Sequence, residues 1–206
     1  MIRYFRLFAF AIVIVTATVW LSAAAETPSK EAVDTYFQKA RQDYLDKNMK
    51  AASEEVRKAA DYVKSEASTA KGKSKEALAA SYRELRKLSR ELEKGTVKSV
   101  KKMEMTFARA YNALATNSHV KSTEAWSKKE SKKAGDELEA AVDELEKSFA
   151  WARQKAEAGT QNVISESKEL SKKLKEGMSS ASADASKALK DMGDEIRTFG
   201  RKLSSK

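Results

Sequence analysis

The residues best placed by type and spacing to do chemistry are eight basic side chains in the middle of the chain. Most recur at three- or four-residue intervals, the spacing of one side of an α-helix. Gly95 divides the cluster into two parts that would meet if the flanking helices ran antiparallel. Guanidinium and ammonium groups gathered in this way bind phosphate or carboxylate groups. The predicted anion-binding residues are Arg83, Arg86, Lys87, Arg90, Lys94, Lys98, Lys101 and Lys102.

The charge balance agrees with an anionic partner. The net charge is +10, and nearly all of the basic excess falls in residues 71–133. A protein or an anionic envelope component, such as a lipid headgroup or a polysaccharide, would complement it. A peripheral membrane contact and a homo-oligomer are further alternatives, whereas nucleic acid does not suit an exported protein. Solvated, salt-bridged helix faces explain such a cluster equally well, so the sequence leaves both interpretations open.

His119, the one histidine of the sequence, is the first candidate for a ligand residue. With Met49, Met103 or Met105 opposite it, it could hold a b-type haem, although methionines at helical spacing also serve as core residues. Zinc and di-iron sites need several His, Cys or Glu-x-x-His ligands, which this sequence lacks. We therefore expect no metal and no cofactor, and keep a haem-binding or small-ligand-binding bundle as the alternative.

No constellation of residues predicts catalysis. The sequence has no cysteine, one histidine and no glycine-rich phosphate loop, and its acidic residues alternate with basic ones as on solvated helix faces. We predict a non-enzymatic binding protein with a chaperone-like or structural role in the cell envelope. Its binding surfaces would be the basic helical face and aromatic-lined seams, near which Trp126 and Trp151 lie.

The elements that position these residues are predicted to be helices throughout. Apolar residues recur every three or four positions between short polar breaks, such as 46–48 and the stretches at Gly72 and Gly95. Thr27–Pro28 has the pattern of a helix start, and Thr96 could cap the helix that follows Gly95. Short breaks join antiparallel neighbours. The sequence thus predicts an all-α fold of antiparallel amphipathic helical hairpins packed as a bundle.

The last helix has the most regular apolar stripe. This stripe predicts that the helix docks on the body of the protein, and an amphipathic lipid contact is the alternative. Gly193 and Gly200 each lower its intrinsic stability by up to about 1 kcal/mol relative to alanine. The stripe consists of Met178, Ala181, Ala185, Leu189, Met192, Ile196, Phe199 and Leu203.

An internal repeat is indicated by a shift of 82 positions. The shift places Leu88 on Leu170 and Gly95 on Gly177, with the apolar stripes in phase. We interpret this as a tandem duplication of a four-helix unit, with a first repeat at 26–117 and a second at 118–206. The two repeats could also pack together as one bundle.

The first 25 residues have the pattern of an export signal. Two arginines precede an uncharged apolar run at 7–21, and Ala23 and Ala25 form an A-x-A motif. Cleavage after Ala25 would leave Glu26 as the first residue of a periplasmic or secreted protein. Retention of the apolar run as a membrane anchor is the alternative.

Overall fold

The computed structural model describes residues 30–177 and 182–205, and all regular structure in these ranges is α-helix. This confirms the all-α prediction. The predicted export signal, the Thr27–Pro28 start, Met178 and Ala181 lie outside the described residues. The helices are α1 (Lys30–Leu45), α2 (Met49–Thr69), α3 (Gly72–Glu93), α4 (Val100–Ser127), α5 (Ser131–Trp151), α6 (Ala158–Lys175) and α7 (Ser182–Ser204). Among these helices, none is both long enough and apolar enough to span a membrane.

The end of α3 follows the predicted glycine stop. Gly95 has a φ of +64°, which glycine adopts without steric cost. Its N–H donates to the carbonyl of Leu92 at 2.8 Å, and the N–H of Thr96 donates to the carbonyl of Glu91 at 2.9 Å. These two bonds form a Schellman motif, which satisfies carbonyl groups left over at the end of the helix.

The start of α4 differs from the prediction. Thr96 is occupied by the preceding Schellman motif, and its hydroxyl donates to the carbonyl of Glu91. The cap is Ser99, whose Oγ accepts from the N–H of Lys102 at 3.4 Å. The prediction of a Thr96 cap is therefore wrong, because α3 uses that residue to end its own last turn.

Helix α4 also runs through the predicted repeat boundary at 117/118. Its 28 residues extend over about 42 Å. Asn117 lies inside it, and its Nδ2 donates to Glu66 Oε2 of α2 at 2.9 Å. This tertiary bond satisfies a side chain that would otherwise compete with the helical backbone. The boundary between 117 and 118 is therefore not the end of an element.

The helices pack in two groups that share α4. In the first group α1 packs on α2 and α4, α2 packs on α3 and α4, and α3 packs on α4. In the second group α4 packs on α5 and α7, α5 packs on α6 and α7, and α6 packs on α7. The second pattern repeats the first when each helix is replaced by the one three places later. A long α4 thus serves as the last helix of one group and the first helix of the next.

An aromatic cluster joins α1, α4 and α5 in the core. The ring of Phe37 stacks on that of Phe107 at 4.0 Å between centroids and meets Tyr111 edge-on at 5.5 Å. Trp151 meets Phe107 edge-on at 5.1 Å and is 8% exposed. Trp126 is half-buried against the same core. Trp151 therefore holds helices together, and its ring is covered by protein.

Helix α7 docks on the body of the protein, as its apolar stripe predicts. It contacts α4, α5 and α6. The ring of Phe199 stacks on Phe149 of α5 at 3.8 Å between centroids. The described stripe residues are all buried, namely Ala185, Leu189, Met192, Ile196, Phe199 and Leu203.

Candidate functional site

Four of the predicted anion-binding residues, Arg83, Arg86, Lys87 and Arg90, lie on α3, and Lys94 is its C-cap. Arg83, Lys87, Arg90 and Lys94 follow one another at intervals of four, three and four residues, and all four are exposed. Arg86 lies beside them and is half-buried. The four exposed residues occupy the side of α3 that faces away from its buried leucines. They form a straight basic row about 16 Å long at 1.5 Å per residue.

The other three predicted residues lie in the turn before α4 and in its first turn. Lys98, Lys101 and Lys102 are exposed. Lys102 Nζ lies 2.7 Å from Glu91 Oε2 of α3, so this charge serves the α3–α4 contact. Within residues 30–177 and 182–205, the other seven members of the cluster form no ion pair with an acidic side chain. We call these seven the basic face: Arg83, Arg86, Lys87, Arg90, Lys94, Lys98 and Lys101.

The outer side of α6 provides a comparison within the same chain. The positions 82 residues after Arg83, Lys87, Arg90 and Lys94 are also exposed, but their charges are mixed. There Glu169 is paired with Lys173 at 2.6 Å. The outer side of α6 thus has no basic row at the positions that correspond to the basic row of α3. The four positions are Ser165, Glu169, Lys172 and Glu176.

A second feature is a groove between the start of α3, the middle of α4 and the second half of α7. Its volume is about 850 Å³, within the range of small-molecule sites. Val120 and Gly193 contribute to its apolar wall, and Lys73, Arg197 and Arg201 bring three cations to it. We call it the cationic groove.

The cations of this groove differ in how far they are neutralised. Arg197 Nη1 lies 2.7 Å from Asp194 Oδ1. Arg201 Nη2 donates to the hydroxyl of Thr198 at 3.3 Å. In the described part of the chain, neither Lys73 nor Arg201 forms an ion pair. Sequence reasoning missed this group because Lys73 lies more than 120 residues before Arg197 and Arg201, and each of them resembles an ordinary surface charge.

His119 lies in the wall of the groove and is engaged in packing. Its Nε2 is 2.7 Å from the backbone oxygen of Leu189. A carbonyl oxygen only accepts, so Nε2 must carry the proton. Burial lowers the pKa of His119 from its ordinary value of 6.5 and outweighs the bond to Leu189, which acts to raise it. The imidazole is therefore neutral at pH 7.

The close approach of α7 to α4 depends on two glycines. Asn112 of α4 donates to the backbone oxygen of Ile196 at 3.0 Å. This contact resembles that of His119 with Leu189, and in each helix the two contact residues are seven positions apart. Each accepting carbonyl lies four residues before a glycine, Gly193 or Gly200. A Cβ on Gly193 would lie 2.6 Å from His119 Cε1, and one on Gly200 would lie 2.5 Å from Asn112 Oδ1. The missing side chains thus give both polar groups access to the helix backbone.

The structure does not bring His119 and the candidate methionines together. Met103 and Met105 lie on α4 itself, 16 and 14 residues before His119, or about 24 and 21 Å along the axis. Met49 begins α2, whereas the end of α2 is the part that lies near His119, because Glu66 bonds Asn117 and Lys121 of α4. His119 therefore cannot share one haem with any of these three methionines as its two axial ligands. Among the described residues, no group of three or more potential ligands is placed to hold a metal ion.

Comparisons with protein-family models, with curated proteins and with solved structures found no match to this chain.

Proposed function

We propose that this is a non-enzymatic, exported helical protein of the cell envelope that binds an anionic partner through the basic face. The observation that carries the proposal is the set of seven basic side chains at one end of the α3–α4 pair without an acidic partner in the described residues. Two neighbouring acidic residues, Glu84 and Glu91, instead pair with Arg109 and Lys102. The acidic groups therefore stabilise the α3–α4 contact and leave the outer cations for another molecule.

Electrostatics favours an external anion at this surface. Neighbouring cations one helical turn apart repel each other. Lys101, in the first turn of α4, also opposes the helix dipole, because the N-terminus of a helix is itself positive. A bound phosphate or carboxylate would reduce both repulsions at once. The mixed charges on the outer side of α6 show that a helix in this setting does not need such a row.

An anionic component of the envelope is the partner that we favour, with a chaperone-like or structural role for the protein. The basic row is straight and lies on a convex helix surface, which suits an extended polyanion or a layer of headgroups. An acidic protein is the alternative.

Binding to lipid vesicles tests this proposal. Sedimentation should show binding to vesicles that contain phosphatidylglycerol, and none to vesicles of phosphatidylcholine alone. Removing two cations should weaken binding about thirtyfold, because each basic residue near an anionic surface contributes about 1 kcal/mol. The double charge reversal Lys87→Glu with Arg90→Glu should therefore lower binding at least that far.

A matched control separates the basic face from net charge. Lys155→Glu with Lys172→Glu changes the net charge equally, at two exposed residues without an ion pair in the described ranges. It should leave most of the binding intact. Equal losses in both double variants would contradict a localised site. A protein that binds neither these vesicles nor a soluble acidic polysaccharide would contradict the proposed function.

We also propose that the chain is a tandem duplication, built from antiparallel hairpins in two units that share α4. Helices α2 and α5 start and end 82 residues apart, and α3 and α6 end 82 residues apart. Ser89 Oγ donates to the backbone oxygen of Ser53 at 3.1 Å, and Ser171 Oγ donates to that of Gly135 at 3.0 Å. Those two bonds join residues in the same register. An experimental structure in which α2–α3 and α5–α6 fail to superpose at this register would contradict the duplication.

A further inference from the structure

We propose that the cationic groove is a binding site for an organic anion with a flat aromatic body, separate from the basic face. The volume of about 850 Å³ exceeds what a single ring needs and fits a compound of two or more rings. The groove combines an apolar wall with cations, which is the combination that an amphipathic anion requires. Its ligand would be an aromatic carboxylate or sulfonate.

The charge of the groove argues for the anionic group. Arg197 and Arg201 lie one helical turn apart on α7, and Lys73 comes from α3. Asp194 neutralises part of the charge of Arg197, whereas Lys73 and Arg201 have no ion pair among the described residues. His119 is neutral at pH 7 and adds no charge. A guanidinium group binds a carboxylate in a planar, bidentate arrangement, so Arg201 is the main residue for the anionic group.

The wall of the groove argues for a flat ring. The imidazole of His119 packs on Gly193, with its Cε1 within 2.6 Å of where a Cβ would lie, and both residues line the groove. A planar ligand can lie on such a surface, and the imidazole offers a ring for stacking. Guanidinium groups such as that of Arg197 also stack on aromatic faces.

In the first half of the chain, the positions that correspond to His119 and Gly193 are occupied by two packed aromatic rings. The residues 82 positions before His119 and Gly193 are Phe37 and Tyr111, whose rings pack edge-on at 5.5 Å. Tyr111 is 2% exposed. The second half has an imidazole and a glycine at these positions, and the groove opens beside them. The aromatic body of the ligand would thus supply the ring that the second half lacks at Gly193.

Fluorescence titration with 8-anilinonaphthalene-1-sulfonate, a planar aromatic anion, tests the proposal on the purified protein. Binding should saturate at one probe per chain. 2-Naphthoate should displace the probe, and its affinity should exceed those of octanoate and of uncharged 2-naphthol by about tenfold or more. Absence of saturable probe binding would overturn the proposal. Equal displacement by octanoate would overturn the aromatic assignment.

Two variants locate the binding. Ala77→Trp places a ring in the groove from its half-buried wall position on α3 and should abolish probe binding, whereas Ala79→Trp, outside the groove, should not. Lys73→Gln with Arg201→Gln changes two exposed residues, so folding is preserved, and should weaken binding about tenfold or more. Unchanged affinity in this double variant would overturn the site.

A charge-matched control keeps this site distinct from the basic face. Lys87→Gln with Arg90→Gln removes the same charge and should leave probe affinity within about twofold of the original. The same variant should lose vesicle binding. Probe binding thus tests the cationic groove and vesicle binding tests the basic face, so the two proposals can fail independently. Equal loss of probe binding in both double variants would show non-specific charge attraction and would overturn the groove.

Discussion

Replacing Gly193 by alanine should destabilise the protein, although alanine is the better helix former. Helix propensity alone would give a gain of about 1 kcal/mol. The new Cβ would, however, lie 2.6 Å from His119 Cε1 and 2.9 Å from Nε2. The imidazole would have to move, which loses its hydrogen bond to Leu189, worth about 0.5–1.5 kcal/mol. Overpacking adds about 1–3 kcal/mol, so we expect a net loss of about 1–3 kcal/mol.

The assay is urea unfolding of four variants beside the original protein: Gly193→Ala, Gly159→Ala, His119→Ala, and His119→Ala with Gly193→Ala. Gly159→Ala in α6 is the control, because a Cβ there meets nothing within 4 Å, and it should stabilise by up to about 1 kcal/mol. In a His119→Ala background, Gly193→Ala should become neutral or stabilising, because its neighbour has gone. If Gly193→Ala stabilises the original protein as Gly159→Ala does, the close packing of α7 on α4 is refuted.

Three further outcomes follow from the same structure. Phe199→Ala should cost about 3 kcal/mol in urea unfolding, because the ring is 2% exposed and stacked in the core; a loss under about 1 kcal/mol would contradict that packing. Burial lowers the pKa of His119 below 6.5, so at low pH the unfolded chain binds a proton at His119 more readily than the folded chain does. The contribution of His119 to the free energy of unfolding should therefore be complete above about pH 6.5 and decrease as the pH falls below it. Urea unfolding of His119→Gln at several pH values should show that this part of the pH dependence is gone. The intact mass of the protein from its own compartment should correspond to a chain that begins at Glu26, whereas a mass that includes residues 1–25 would contradict cleavage.

Much of the helical structure could be predicted because its signals are local. The glycine stop at Gly95 and the polar break at 46–48 depend on a few neighbouring residues, and both mark helix ends in the structure. The Thr96 cap was predicted from the same kind of signal and is wrong, because Thr96 and Ser99 are both capping residues by type. The geometry of the turn at the end of α3 determines which of the two residues caps α4. Residue-type preferences for the cap position carry no information about that turn.

The continuity of α4 shows where local signals end. Asn117 weakens a helix by its own preference, and a boundary beside it was a reasonable prediction. Its hydrogen bond to Glu66 of α2 offsets that preference and stabilises the helix at this position. That partner lies 51 residues away, so its effect depends on how α2 packs against α4.

The two candidate sites differ in how far the sequence alone could predict them. The basic row on α3 was predictable, because spacings of three and four residues determine one helix face whatever the helix packs against. Its lack of acidic partners in the described residues, and the use of Lys102 in the α3–α4 contact, required the structure. The cationic groove depends wholly on tertiary packing. Lys73 and Arg201 line one groove because α3 and α7 both pack on α4, and the packing of α7 on α4 depends on the space left by Gly193 and Gly200. The sequence by itself thus determines helices and their faces, since those follow from backbone periodicity. Which faces meet, and what lies between them, depends on side-chain volume and complementarity across helices far apart in the chain.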